Sequence, residues 1–149
     1  PKNIPDDDET TIVHGDYRLD NMILKNNEVI GILDWELSTL GHPIADFSYH
    51  CLSWRTQEAF WDQAKLKELG IPSEKEYMEM YCENSGKDLS KNWEFYMAFN
   101  MFKIAGILQG ILGRVRDGTA ASKHAEERGN MVFPLSEAAW STIEENFLK

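Results

Sequence analysis

The stretch His14-Gly15-Asp16-Tyr17-Arg18-Leu19-Asp20-Asn21 places a carboxylate and a carboxamide five positions apart. Asp34 follows thirteen positions after Asn21, at the end of an apolar run over residues 29–33. Hard oxygen donors such as Asn21 and Asp34 suit Mg²⁺, which binds few protein ligands and keeps some of its waters. A carboxylate at position 16 is placed to hold a substrate hydroxyl. Together these are the needs of phosphoryl transfer, whose loose transition state calls for charge neutralisation, an aligned nucleophile and a group to orient or accept the hydroxyl proton. Asp16 is therefore the expected catalytic residue, and Asn21 and Asp34 the expected metal ligands. The plainer alternative is a surface loop in which Asp16 and Asn21 close Asx turns. Arg18 is read either as a phosphate or substrate contact or as the partner of a neighbouring carboxylate. Glu36 is read either as a water-mediated metal ligand or as a surface carboxylate.

The elements that must position these residues are legible in outline. Residues 22–24 and 29–33 are apolar runs around Lys25-Asn26-Asn27-Glu28, the pattern of a β-hairpin. Strand direction reverses there, so the outer ends meet and Asn21 comes near Asp34. Residues 10–13 are β-prone. Helical character starts at Gly41-His42-Pro43, with Ile44, Phe47 and Cys51 at helical spacing. Residues 54–72 are ambiguous, with Phe60, Trp61, Ala64 and Leu66 on a possible short helix. Ser73 and Glu76 form a capping-box pair, and Gly86 is a stop for the helix they begin. A long helix is expected over roughly 90–113, a loop over 113–122, and a last helix over about 134–147 with Leu135, Ala138, Ala139 and Phe147 inward. The class is α+β.

Composition narrows the partners. The chain has 149 residues, 42% hydrophobic and 27% charged, with a net charge of −10. That supports one core and argues against nucleic acid or an anionic membrane surface as partner. Residues 95–112 are the most apolar stretch, but Asn100, Lys103 and Gln109 interrupt it, so a buried helix is expected rather than a membrane span. Cys51 and Cys82 lack metal or disulfide spacing and read as free thiols of an intracellular protein. His42, His50 and Cys51 fit no zinc pattern. The many aromatics from Trp54 to Phe102 read as core packing, with a cage for a cationic substrate as the rarer use. Arg114, Arg116 and Lys123 form a basic cluster that either meets an anionic substrate group or closes the end of the long helix. The chain starts at Pro1, which points to processing or to a piece of a longer polypeptide, and no signal peptide is visible in it.

The strings HGDYRLDNMI and VIGILDWELSTLGHPIAD resemble the catalytic loop and metal-binding strand of the aminoglycoside phosphotransferase family, a branch of the protein-kinase-like fold. More narrowly they resemble the kinase-like domain of acyl-CoA dehydrogenase family members 10 and 11. The resemblance is strong over residues 12–50 and thins to about residue 122. It implies Asp16 as catalytic Asp, Asn21 as second metal ligand, and Asp34 as the metal-binding Asp that protein kinases place in Asp-Phe-Gly. It implies Asp46 as a buried brace of the catalytic loop, and His14 as a loop anchor rather than a base. ATP and Mg²⁺ are the implied cofactors, a nucleotide and a small-molecule alcohol the implied partners, with a hydroxyacyl-CoA as the narrower acceptor and an acyl-CoA dehydrogenase domain as fused neighbour. Gly15 stands where protein kinases carry Arg, which implies no switch through a phosphorylated activation loop. Trp35-Glu36 replaces Phe-Gly, which favours a small-molecule kinase. No Gly-rich loop or strand Lys precedes residue 14. The implied architecture is thus a linker or arm over residues 1–10 and a partial C-terminal lobe over 11–149, without the N-lobe and inactive alone. A non-catalytic kinase-like binding module is the alternative.

Overall fold

The computed structural model describes residues 3–6, 8–56 and 63–148. Among these, four short strands precede six helices. The strands are β1 (Thr11–Val13), β2 (Met22–Lys25), β3 (Glu28–Ile32) and β4 (Thr39–Gly41). The helices are α1 (Pro43–Thr56), α2 (Gln63–Glu68), α3 (Glu74–Ser85), α4 (Trp93–Arg116), α5 (Ala125–Asn130) and α6 (Val132–Phe147). The mixed class expected from the sequence holds.

β2 and β3 pair antiparallel, with Met22 opposite Ile32 and a bulge between Ile23 and Leu24. Asn26 and Asn27 both have positive φ, 51° and 62°. A two-residue loop of that kind matches the strands' own twist, and asparagine tolerates it better than most residues. β1 pairs antiparallel with β4, Thr11 opposite Gly41. β4 corrects the sequence reading, which runs from the hairpin straight to helix. Three residues whose partner lies far upstream leave no local periodicity to detect.

The helices pack chiefly on α4, which touches α1, α5 and α6. Trp93, Tyr96, Met97, Met101 and Ala105 of α4 are buried with Cys51 and Leu52 of α1 and Val132, Leu135 and Ala139 of α6. By length and composition α4 could cross a membrane, but this buried face belongs to the core, as expected of a core helix. Asn100, 1% exposed, donates from Nδ2 to the Ala45 carbonyl and to Ser48 Oγ, both at 2.8 Å. A buried amide with partners on one turn of α1 fixes how that helix lies on α4. Arg55 of α1 adds a second tie, binding Glu74 of α3 at 2.8 Å and Glu94 of α4 at 2.7 Å. The aromatics serve this core: Phe47 stacks on Tyr81 at 3.8 Å, and Trp54 on Tyr77 at 5.1 Å. Cys51 is buried, Cys82 is half-buried, and both are free. Burial raises the Cys51 thiol far above its ordinary range.

Ser73 and Glu76 make the full capping box, and Gly86 ends α3 with φ 71°. The long helix runs three residues later than expected at each end. Gly113 sits inside α4, and Gly118, with φ 69°, is the left-handed glycine just past it. The loop that follows α4 therefore starts later, and α5 stands between it and the last helix, where the sequence reading names no element. α6 begins at Val132, with Pro134 tolerated in its first turn. Phe60 and Trp61 lie outside the described residues. Of the acidic arm, Glu9 pairs with Lys87.

Candidate active site

The loop between β1 and β2 is held from three sides. Asp46, in the first turn of α1, accepts the backbone N–H of His14 at Oδ2 and that of Gly15 at Oδ1, both at 2.8 Å. An anionic side chain is favoured at that helix end and forms strong bonds to amides. His14 is 3% exposed. Its Nδ1 accepts the N–H of Asp16 at 3.2 Å, so Nε2 carries the proton and donates to the Leu33 carbonyl at 2.8 Å. Both ring nitrogens are thereby committed to the backbone.

The remaining clamps come from the same face of α1. Tyr49 donates its hydroxyl to Asp16 Oδ1 at 3.0 Å. His50 donates from Nδ1 to the Tyr17 carbonyl at 3.0 Å and accepts the Tyr77 hydroxyl at Nε2, 3.1 Å. Asp46, Tyr49 and His50 stand at i, i+3 and i+4, so one helical stripe meets loop residues 14 to 17 in succession. Sequence reasoning missed Tyr49 and considered His50 only as a metal ligand. The signal was present: polar residues three and four positions beyond Asp46 share its helical face.

Asp16 is thus fixed at both oxygens. Asn21 donates from Nδ2 to Asp16 Oδ2 at 3.1 Å and to the Asp16 carbonyl at 2.9 Å. Burial first, and then the bond to Asp16, push the Tyr49 phenol up to about 12. It remains a proton donor to Asp16 at any neutral pH.

The outer ends of the hairpin meet as the sequence predicts. Leu33 N–H donates to the Asn21 carbonyl at 2.8 Å, while the Leu33 carbonyl receives His14. Clamping Leu33 at both backbone groups fixes the start of Asp34. Asp34 has φ 64° and ψ 52°, the left-handed conformation, and turns the chain out of β3 into the tight turn Trp35–Leu37. Aspartate is among the few non-glycine residues enriched there. Trp35 supports this turn, its Nε1 on the Ile32 carbonyl at 2.9 Å and its ring 4.7 Å from that of His14.

Gly15 acquires a local reason. Its φ is 83°, and a Cβ built on it would lie 2.6 Å from the Leu37 carbonyl oxygen. No side chain fits there, so an Arg at this position is sterically excluded by the turn after Asp34. Arg18 pairs with Asp20, Nε to Oδ2 at 2.9 Å, with both side chains exposed. Glu36 is exposed in the turn after Asp34.

The donor set suits one kind of cation. Because Asn21 Nδ2 is committed to Asp16, Oδ1 is the amide atom left to meet a cation, and the exposed Asp34 carboxylate accepts no hydrogen bond among the described residues. No group of three or more His, Cys, Asp or Glu among them is gathered to hold a metal. Two hard oxygens are too few for a resident zinc or calcium. As hard oxygens they would suit Mg²⁺, which takes few protein ligands and keeps several waters.

The model of the phosphotransferase enzyme family matches residues 1–81, more than half of the chain. The chain belongs to this family. Mouse acyl-CoA dehydrogenase family member 10 is 44% identical to it over 147 residues, covering 94% of this chain and 14% of that protein. Human acyl-CoA dehydrogenase family member 11 is 39% identical over 153 residues, covering 98% of this chain and 20% of that protein. The chain therefore spans a fifth or less of these two relatives. A crystal structure of a Ralstonia eutropha protein assigned as an aminoglycoside phosphotransferase superposes with a TM-score of 0.87 at 46% identity, over 97% of this chain and 46% of that one.

Proposed function

We propose that this chain carries the catalytic loop and cation-holding strand of an ATP- and Mg²⁺-dependent phosphotransferase whose acceptor is the hydroxyl of a small molecule. The observation that carries this reading is the double restraint on Asp16. With Tyr49 on one oxygen and Asn21 on the other, its carboxylate cannot swing, and its remaining lone pairs are kept for an incoming hydroxyl. Asp16 orients that hydroxyl and takes up its proton as the phosphoryl group is captured. Asn21 Oδ1 and Asp34 would hold Mg²⁺, which when bound supplies charge neutralisation at the phosphates. Asp46 and His14 keep the loop in register with Asp34. Arg18 is spent on Asp20, and Glu36, exposed in the turn after Asp34, would meet the cation only through water.

The names of the two acyl-CoA dehydrogenase relatives, and the small share of them that this chain covers, support a fused arrangement with a hydroxyacyl-CoA as acceptor. The 46% coverage of the solved neighbour supports a catalytic unit that needs chain beyond these residues to enclose the nucleotide.

The experiment is a pair of variants in the full-length parent. Asp16→Asn keeps the size but turns one of the two accepting oxygens into a donor NH2 and removes the proton acceptor, and is expected to lower phosphate transfer from γ-labelled ATP at least about 100-fold with nucleotide affinity retained. Asp34→Asn preserves the tolerance for the left-handed backbone and removes the charge. It is expected to abolish the Mg²⁺ dependence of nucleotide binding in calorimetry. Transfer that survives Asp16→Asn, or Mg²⁺-dependent binding that survives Asp34→Asn, overturns the corresponding role.

A further inference from the structure

Two histidines hold the backbone on either side of Asp16, and they do so in opposite tautomers. His14 accepts the Asp16 N–H at Nδ1 and donates from Nε2 to the Leu33 carbonyl. His50 does the reverse. Its Nδ1 lies 3.0 Å from the Tyr17 carbonyl oxygen, which can only accept, so Nδ1 carries the proton and Nε2 is a lone pair. The Tyr77 hydroxyl of α3 meets that lone pair at 3.1 Å. Which nitrogen of an imidazole carries the proton is set by the partner of the other nitrogen. At position 50 that partner is Tyr77, which the proposed reaction does not otherwise use.

Tyr77 is held in place for this role. Its ring stacks on Trp54 at 5.1 Å and lies 5.5 Å from Phe47 and 5.6 Å from His50. Trp54 in turn ties the start of α3 to α1, donating from Nε1 to the Pro72 carbonyl at 3.0 Å. Burial raises the Tyr77 phenol above its ordinary range, so it keeps its proton at neutral pH. Three side chains thus pin the backbone at Asp16: His14 its N–H, Asn21 its carbonyl and His50 the next carbonyl. Of these three holds, the one through His50 leads to a helix beyond α1.

We infer that Tyr77 is a remote positioning residue for the transfer: by donating to His50 Nε2 it keeps the Nδ1–H form, which pins the Tyr17 carbonyl and with it the neighbouring Asp16. The inference rests on the phosphotransferase reading and deepens it. Without the hydroxyl, Nε2 is an acceptor left unpaired, which penalises the Nδ1–H form. The proton then moves to Nε2, Nδ1 turns a lone pair on the Tyr17 carbonyl, and the loop gives way beside Asp16. A displaced reacting group costs turnover without costing affinity for the nucleotide.

The test uses the full-length parent protein. Infrared difference spectra of isotope-labelled histidine, taken between proteins with and without His50→Gln, read which nitrogen of His50 carries the proton. The expected result is the Nδ1–H form in the parent and its loss in Tyr77→Phe. With γ-labelled ATP, Mg²⁺ and 3-hydroxybutyryl-CoA as the acceptor probe, Tyr77→Phe is expected to lower kcat about 10-fold with KM for ATP unchanged. His50→Gln has no tautomer to set, so adding Tyr77→Phe to it is expected to cost less than about 2-fold, an outcome that a merely structural Tyr77 does not give. Tyr77→Phe keeps the ring and its stacking, and is expected to melt within a few degrees of the parent. An Nε2–H form in the parent, an unchanged ring signal or unchanged kcat in Tyr77→Phe, an equal loss in the His50→Gln background, or a collapse of the melt overturns the inference. Failure of the phosphotransferase reading shows separately, as a parent that transfers no phosphate or as transfer that survives Asp16→Asn, and the ring spectra then decide by themselves what Tyr77 does to His50.

Discussion

Tyr49 illustrates how much of a site depends on residues that carry no motif. Its hydroxyl is half-buried against Asp16, and both facts favour the neutral phenol. The ordinary phenol ionises near pH 10 and Tyr49 near about 12. A group whose folded value is raised stabilises the fold fully below the unfolded value, and that contribution is lost as the pH climbs from about 10 to about 12. Tyr49→Phe is therefore expected to flatten part of the fall in stability across that window, measured as urea midpoints at a series of alkaline pH values. An unchanged slope would mean that the bond to Asp16 is not kept in solution. At this scale the sequence singles out Asp16, Asn21 and Asp34 by type and spacing, and His14 and Asp46 through the resemblance; the structure joins Asp16 to Asn21 and Asp46 to the backbone of His14 and Gly15. The sequence is silent on Tyr49 and Lys103, which meet across the α1–α4 contact from positions 54 residues apart. A side chain recruited by tertiary packing leaves no spacing to read.

Elements were legible where a local signal is strong and ambiguous where two readings share one residue type. The hairpin with its paired asparagines and the Ser73–Glu76 box are local devices, and both stand where the sequence puts them. Glycine is the ambiguous case. Gly113 reads as a stop but lies inside α4 with nothing within 4 Å of a built Cβ, whereas Gly118 takes the left-handed conformation. Gly129, in α5, is different again: a Cβ there would meet Leu112 Cδ2 at 2.6 Å and Cγ at 2.7 Å. That contact lets α5 lie close on α4. Gly113→Ala is accordingly expected to stabilise the protein by about 0.5–1 kcal/mol, through helix propensity in open space. Gly129→Ala is expected to destabilise it by about 1–3 kcal/mol, through overpacking. Denaturant unfolding of both variants checks the pair. Effects of the same sign would mean that close α4–α5 packing is not what keeps Gly129 a glycine.

At the scale of the whole molecule the two halves differ in how they are covered. The helices share a core around α4, but the strands form two separate two-stranded sheets, and a pair of strands alone is marginal in water. Ile12, Leu19 and Leu40 are 74%, 70% and 71% exposed, and Ile23, Leu24, Val29, Ile30, Leu33, Trp35 and Leu37 are exposed around them. Exposed apolar side chains in such number mark a contact face. They lie on the strands and turns before and after Asp34 in the chain, and the solved neighbour extends over as much chain again beyond the part it shares with this one. The isolated 149 residues are therefore expected to bind ATP weakly, to transfer no phosphate, and to self-associate with enhanced fluorescence of an apolar dye. Extending the chain with the remaining part of the kinase-like domain from the parent protein is expected to restore a single species in light scattering and to protect the amides of β2 and β3 from hydrogen exchange. A monodisperse 17.2 kDa monomer that turns over ATP unaided would show that the exposed strands need no cover, and that the catalytic unit is complete within them.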